Sequence, residues 1–533
     1  MKRFGVMLDC SRNAVMKVDE IKNFASILKS FGYNMLQLYT EDTYEVEGEP
    51  YFGYLRGKYT TTELKEIISY CEEIGIEVIP CIQTLAHLNQ IFRWEEYIPI
   101  NDTADILLCE NERTYTLIEN MFKSLRKVFN SNIIHIGMDE AHMLGRGRFL
   151  DKYGYKKGFD IIKAHLEKVI EIAKKYNFEP IMWSDMFFRL ANNGNYYPKD
   201  PIATEEAKAS VPDGVGLVYW DYYHFDKEYY DKMMKAHFDL TDKVWFAGAT
   251  GSCNGFVSVN EKAMQTMLPA MQSAKEFDID NILITMWGDN GKECSYLSAL
   301  PSLFAIKKFY DGVFDMDTIK IAFNSLTGED FDDMLNLDLP NQIGGSKENE
   351  MNASKYMLYA DPFLGFIDTT VIEGKGKEYG TFAKTLEKSK KNSKYSYIFD
   401  TKIALCKVLE IKYELGVKTR AIYKSKDKVA LKILIENYQE VIDKLDEFYL
   451  KFKALWFKEN KPHGFDVQDI RLGGLKQRLI SCKDRLIGFL NGEIDKIDEL
   501  EEELLCYHGN GKDFKKEPAY LNVWSKMVTP NVL

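Results

Sequence analysis

The chain has 533 residues, 45% hydrophobic and 28% charged, with a formal net charge of −12 at pH 7. That length allows two to three domains and a large core, and the acidic balance argues against a nucleic-acid or anionic-membrane partner. The nine cysteines are scattered without a C-x-x-C pair, which points to reduced, buried fillers in a reducing compartment. The apolar run in MKRFGVMLDCSRN is too short for a secretory leader. No run approaches 18 apolar residues, so a cytoplasmic protein without a membrane span is expected.

In chain order, strands are predicted at FGVML (4–8), MLQLY (35–39), EVIPC (77–81), IIHIGM (133–138), PIMWS (180–184), VGLVYW (215–220), VWFAGA (244–249) and ILITMW (282–287). Helical patterns separate them. In VDEIKNFASILKSFG, residues Ile21, Phe24, Ala25, Leu28 and Phe31 recur at three- and four-residue spacing, and Gly32 is a natural C-cap. TTELKEIISYCEEIG repeats the device, with Thr at its start and Gly75 at its end. Eight strands alternating with helices predict an α/β fold, a (β/α)8 TIM barrel over residues 1–311. An open doubly wound sheet is the alternative, but no Gly-rich phosphate loop follows any strand. Residues 312–375 read as a loop-rich linker region, and the chain from about 376 is Lys/Glu-rich and helical. A mainly α-helical C-terminal domain is therefore expected within 312–533. Inside it, WFKENKPHGFDVQDIRLGGLKQR (456–478) reads as a Gly-containing loop.

A barrel carries its chemistry at the C-terminal ends of its strands, and polar or tryptophan residues collect there. Asp9 and Arg12 follow the first strand, Glu41 and Asp42 the second, His87 the third, Asp139 and Glu140 the fourth. Trp183 and Asp185 follow the fifth, Trp220 and Asp221 the sixth, and Trp287, Asp289 and Glu293 the eighth. Side chains alternate along a strand, so His135, Gly137 and Asp139 are expected to face the barrel axis while Ile134, Ile136 and Met138 face the helices. Glu140, at the turn, reaches the cleft from the side. Adjacent acids are badly placed to sit on opposite faces of a sugar, as a carboxylate nucleophile and its acid partner must. They suit a reaction in which the substrate supplies the nucleophile, Glu140 protonates the leaving oxygen and Asp139 orients the attacking group.

Five ordered segments carry a resemblance. HIGMDEAH resembles the H-x-G-x-D-E motif of glycoside hydrolase family 20, the β-N-acetylhexosaminidases. PCIQTLAH is similar to its P-x-x-x-x-P-G-H segment, MLDCSRN to L-D-x-x-R-H, LYTEDTYE to H-L-x-D-D, and MWGD to W-G-E with Asp289 for Glu. The match spans about residues 3–295 and is nearest to a branch with an N-terminal barrel and a C-terminal helical domain. The resemblance implies an oxazolinium intermediate formed by the substrate's 2-acetamido oxygen. Asp139 would hold the acetamido nitrogen, and Glu140 would act as acid and then base with a raised pKa. His87, Glu41 and Asp42 would support Glu140. Trp183, Trp220 and Trp287 would wall the N-acetyl pocket, and Asp289 would hold sugar hydroxyls. Asp9 and Glu293 are counted with the substrate-binding set.

The chain departs from the family at the arginine before the first-strand glycine, where it has Phe4. Arg12 is the candidate replacement. The W-Y-x-D end of the seventh strand is also missing from FAGATGSCNGF, which makes Tyr222 the nearest acetamido-binding tyrosine. The resemblance implies an exo-acting hydrolase of terminal GlcNAc or GalNAc glycosides with no cofactor and no metal. Two rivals are a non-catalytic amino-sugar-binding barrel and a metal-dependent hydrolase built on His135, Asp139, Glu140 and His142. The 456–478 segment offers Trp456, His463, Asp466, Asp469 and Arg471. It is expected near a barrel mouth, its own or that of a second subunit in a homodimer.

Overall fold

The computed structural model describes residues 2–252, 255–345, 352–507 and 523–531. Its centre is a closed barrel of eight parallel strands: β1 (Arg3–Asp9), β2 (Met35–Thr40), β3 (Glu77–Ile82), β4 (Ile133–His135), β5 (Glu179–Trp183), β6 (Gly216–Trp220), β7 (Val244–Ala249) and β8 (Asn281–Met286). The ring closes where β1 pairs β8, with Gly5 opposite Leu283. Barrel strands covered on both sides read as nearly continuous apolar runs, which is why β2, MLQLYT, is buried at every position.

The helices form as their spacing demands. Val18–Phe31 buries Ile21, Phe24, Ala25, Leu28 and Phe31, and it stops at Gly32, whose φ of 93° lets its N–H turn back to the Leu28 and Lys29 carbonyls. Thr61–Glu73 starts on a reciprocal capping box between Thr60 and Glu63.

β4 departs from the expected alternation. It ends at His135, and Gly137, Met138 and Glu140 then take left-handed φ values of 70°, 70° and 52°. A Cβ on Gly137 would lie 2.0 Å from Gln83 Oε1, so only glycine allows this close crossing of the loops after β3 and β4. Asp139 therefore reaches the mouth through a sharp turn rather than as the next rung of a pleat.

The chain from Leu300 to about residue 500 is mainly helical. Helices Met316–Thr327, Phe331–Leu335 and Ala353–Tyr359 occupy part of the stretch expected as linker. The 456–478 segment is also not a loop. Helix Lys428–Glu459 runs through Trp456, residues 460–464 connect, and helix Phe465–Asn491 continues through Gly473 and Gly474. Both glycines face open space. Their cost, about 1 kcal/mol each relative to alanine, is outweighed by the buried stripe of Leu472, Leu475, Leu479, Cys482 and Leu486.

The 460–464 connection docks on the loop after β1. Lys461 N donates to Val15 O (2.8 Å), and Lys17 N donates to Glu459 O (3.0 Å). Gly464 has φ 88°, and a Cβ there would lie 2.1 Å from Asn13 O. The eight described cysteines are free, seven of them buried. No helix among the described residues is long and apolar enough to cross a membrane.

Candidate active site

The turn after β4 places Asp139 and Glu140 at the base of a cleft at the C-terminal end of the barrel. Asp139 is buried and accepts from Gln83 Nε2 (2.8 Å) and His87 Nε2 (3.1 Å). Burial alone would raise its pKa, but the charge and hydrogen bond of His87, then the Gln83 bond and Arg12, carry it well below the ordinary carboxylate value. The same pairing lifts His87 to about 9, against the pull of burial. Glu140 is shifted the other way: partial burial, the Asp139 charge and the Asp185 charge raise its pKa over the opposition of His87 and Arg189. Two adjacent carboxyls are thus held apart, Asp139 as an anion and Glu140 towards its protonated form.

A further layer holds Glu140. Its backbone N donates to Asp185 Oδ2 (3.1 Å), and Arg189 bridges Asp185 (2.7 Å) and Glu140 Oε1 (3.2 Å). Burial and Asp139 raise Asp185 to about 6. Gln83 and Arg189 escaped the sequence reading. Arg189 had one local signal, its four-residue spacing from Asp185 on a short helix.

Trp183, Trp220, Trp287 and Tyr222, with Tyr223, wall a cavity of about 170 Å3 that also exposes Arg12, Asp139, Glu140 and Asp289. Trp220 and Tyr222 stack at 5.6 Å and 28°. Trp183 and Trp287 lie 6.0 Å apart. Arg12 lies over Trp287, 4.6 Å from its ring centroid. It hydrogen-bonds Asp289 and also donates to Glu41 Oε1 at 3.2 Å. Past Arg12, Glu140 and Asp289 the cavity opens into a cleft of about 1000 Å3, which Glu41, His87, Asp105, Asn290, Gly464, Asp466, Val467 and Arg471 help to line.

Two models cover most of the chain: "Glycosyl hydrolase family 20, catalytic domain" matches residues 3–240 and "Glycoside Hydrolase 20C C-terminal domain" matches residues 329–518. The chain belongs to glycoside hydrolase family 20. It is a glycoside hydrolase of the hexosaminidase family. Hexosaminidase D of Bos taurus is 24% identical over 362 residues, which are 64% of this chain and 97% of that protein. Hexosaminidase D of Homo sapiens is 25% identical over 343 residues, 60% of this chain and 67% of that one. A solved family 20 exo-β-N-acetylglucosaminidase from Vibrio harveyi is similar at 14% identity and a TM-score of 0.47, over 61% of this chain and 58% of its own.

Within this family 20 site, several expected residues lie elsewhere. Asp42 faces Arg56 (3.3 Å), with no hydrogen bond to His87 or Glu140. Asp105 instead accepts the His87 backbone N–H at 3.0 Å. Asp9 lines neither cavity. It accepts from the Ser11 and Arg12 backbone N–H groups and from Gly288 N, tying β1 to β8. Glu293 is buried away from the cleft between Lys355 Nζ and Arg471 Nη1, both at 2.9 Å.

From the 456–478 segment, Asp466 and Arg471 reach the cleft of their own chain. Trp456 is buried and donates to Lys461 O (3.1 Å), and Asp469 bonds Tyr449. His463 abuts Gly57. Of the suggested metal group, His142 is exposed, and His135 accepts from Gly137 N (3.1 Å) and packs on Trp183. His87, Asp139 and Glu140 do bring ligand atoms within 4.8 Å of one another, which a chelator test addresses.

Proposed function

We propose that this chain is an exo-acting β-N-acetylhexosaminidase that removes terminal GlcNAc or GalNAc with retention, through substrate assistance. One observation carries the reading: adjacent carboxyls with opposite pKa shifts share a small tryptophan-walled cavity. In the first step the acetamido oxygen forms a bond to C1 as the C1–O bond breaks, and Glu140 gives its proton to the departing oxygen. The Asp139 anion accepts the acetamido N–H and offsets the positive charge of the oxazolinium. In the second step Glu140 takes a proton from water, whose oxygen bonds to C1 and reopens the ring. Arg12 and Asp289 lie where sugar hydroxyls can be held, and Tyr222 on Trp220 can face the acetamido group. A small cavity that opens into a wide cleft supports action on a chain end.

The test is hydrolysis of a chromogenic GlcNAc glycoside with and without chelator, followed by Glu140→Gln on a series of leaving groups. Activity that survives the chelator disfavours the metal reading, and hydrolysis itself disfavours a pure sugar binder. Losing general-acid help costs about 10²–10⁴-fold for a poor leaving group, and the loss should shrink as the leaving group improves. An equal loss across the series would assign the acid elsewhere.

A further inference from the structure

Tyr51, Tyr54 and Trp94 form a three-ring cluster, with centroid separations of 6.2 Å (Tyr51–Tyr54), 5.7 Å (Tyr51–Trp94) and 5.2 Å (Tyr54–Trp94). Tyr51 is 45% and Tyr54 46% exposed. The tyrosines lie in the loop after β2 and Trp94 in the loop after β3. The residues next to them in the chain, Leu55 and Arg56 on one side and Arg93 on the other, line the wide cleft beside His87 and Glu140, as do Asn89 and Gln90. Among the described residues, the side chains of Asn89, Gln90 and Arg93 have no hydrogen-bond or ion-pair partner.

Exposed rings beside a cleft lined by unused polar groups mark a binding surface. A neutral pyranose matches both parts: its C–H face packs on aromatic rings, and its hydroxyls bond amides and a guanidinium. The rings pack on one another, so little side-chain freedom is lost on binding. The cleft is continuous from Glu140, where the leaving oxygen would depart, to Asn89, Gln90 and Arg93, and Arg93 adjoins Trp94 in the chain. A substrate reaching them is therefore on the leaving-group side.

We propose that Tyr51, Tyr54 and Trp94, with Asn89, Gln90 and Arg93, form an aglycone subsite for the second and third sugars of a neutral oligosaccharide bearing a terminal amino sugar. This rests on the hexosaminidase reading. The experiment compares kcat/KM for a single-sugar aryl GlcNAc glycoside and a GlcNAc-terminated neutral trisaccharide, in the full-length protein and in Trp94→Ala, Tyr54→Ala and Trp94→Tyr. The trisaccharide-to-aryl ratio should fall about tenfold in the alanine variants, through KM, and recover in Trp94→Tyr. An unchanged ratio in both alanine variants overturns the subsite. So does conversion of a dimer to a monomer by light scattering, which would make the rings a self-association face.

A wild-type protein inert toward both glycosides counts against the hexosaminidase reading instead. Calorimetric binding of the same trisaccharide in a Glu140→Gln background then decides the subsite. Weaker binding on adding Trp94→Ala supports it, and equal or absent binding overturns it.

Discussion

Replacing His87 with Asn should move the acid limb of the pH–rate profile upward and weaken the fold only below alkaline pH. Asn is the useful substitution because His87 has φ 58°, a conformation that Asn tolerates better than most residues. It removes the cation while keeping the turn. His87 stands at about 9 against an ordinary 6.5, and a difference of roughly 2.5 pH units corresponds to about 3 kcal/mol favouring the charged pair. The imidazole is 18% exposed, so solvent screening removes little of this. The coupling is reciprocal, so without it Asp139 ionises at higher pH, and an acid limb of kcat/KM set by that ionisation should move upward.

The sign for stability follows from both partners. The raised His87 contributes fully below 6.5 and loses its contribution as pH rises through 9. The depressed Asp139 contributes above 3.8 and loses its contribution as pH falls through its lowered pKa. Urea denaturation should therefore put the variant about 3 kcal/mol below wild type near pH 5.5, with the gap nearly closed near pH 10. An unmoved acid limb, or the same gap at both pH values, would refute the ion-pair account.

Arg471→Met should raise KM severalfold and lower thermal stability, because it strips one of two cations from buried Glu293 and removes two of the three hydrogen bonds to Asn290. Arg471→Lys should rescue little, since a single ammonium cannot bond Asn290 O, Asn290 Oδ1 and Glu293 together. KM and Tm measured in parallel check both variants. Gly464→Ala should cost more than about 1 kcal/mol, because its positive φ and the backbone oxygen of Asn13 leave no room for a Cβ. A melting temperature equal to wild type would mean that the helical domain does not press on the β1 loop.

The barrel was legible because its strands are buried apolar runs, and FGVML differs from β1 only by the flanking Arg3 and Asp9. IIHIGM misled because period-two alternation cannot see left-handed residues. Gly137 allows such a turn, but nothing in the sequence says that Met138 and Glu140 join it. The carboxyl pair was legible through its motif and the aromatic wall through the tryptophans at strand ends. Glu293 was not, since an acid after β8 looks like a sugar ligand until its partners are known, and these lie 62 and 178 residues onward. For 456–478, the Pro-His-Gly and Gly-Gly signals of a loop were local, and the buried leucine stripe that overrides the second of them is tertiary.

The helical domain belongs to the architecture of the cleft. In the loop after β8, Asn290, Gly291 and Lys292 take φ values of 52°, 124° and 53°, and left-handed non-glycine residues cost on the order of 1–3 kcal/mol each. Such a run persists only where its surroundings fix it. Arg471 and Lys355 both donate to the Asn290 carbonyl, Gln468 donates to the Gly291 carbonyl at 3.0 Å, and Lys292 donates to the Cys294 carbonyl at 2.7 Å. Three of these four donors come from beyond the barrel. They hold the turn that presents Asp289 to Arg12 at the cavity mouth. A barrel whose first strand carries Phe4 against Tyr33 and Tyr310 has no arginine there to grip a sugar. Arg12 and Asp289 meet instead between the β1 and β8 loops, and helix Phe465–Asn491 holds the β8 loop through Gln468 and Arg471.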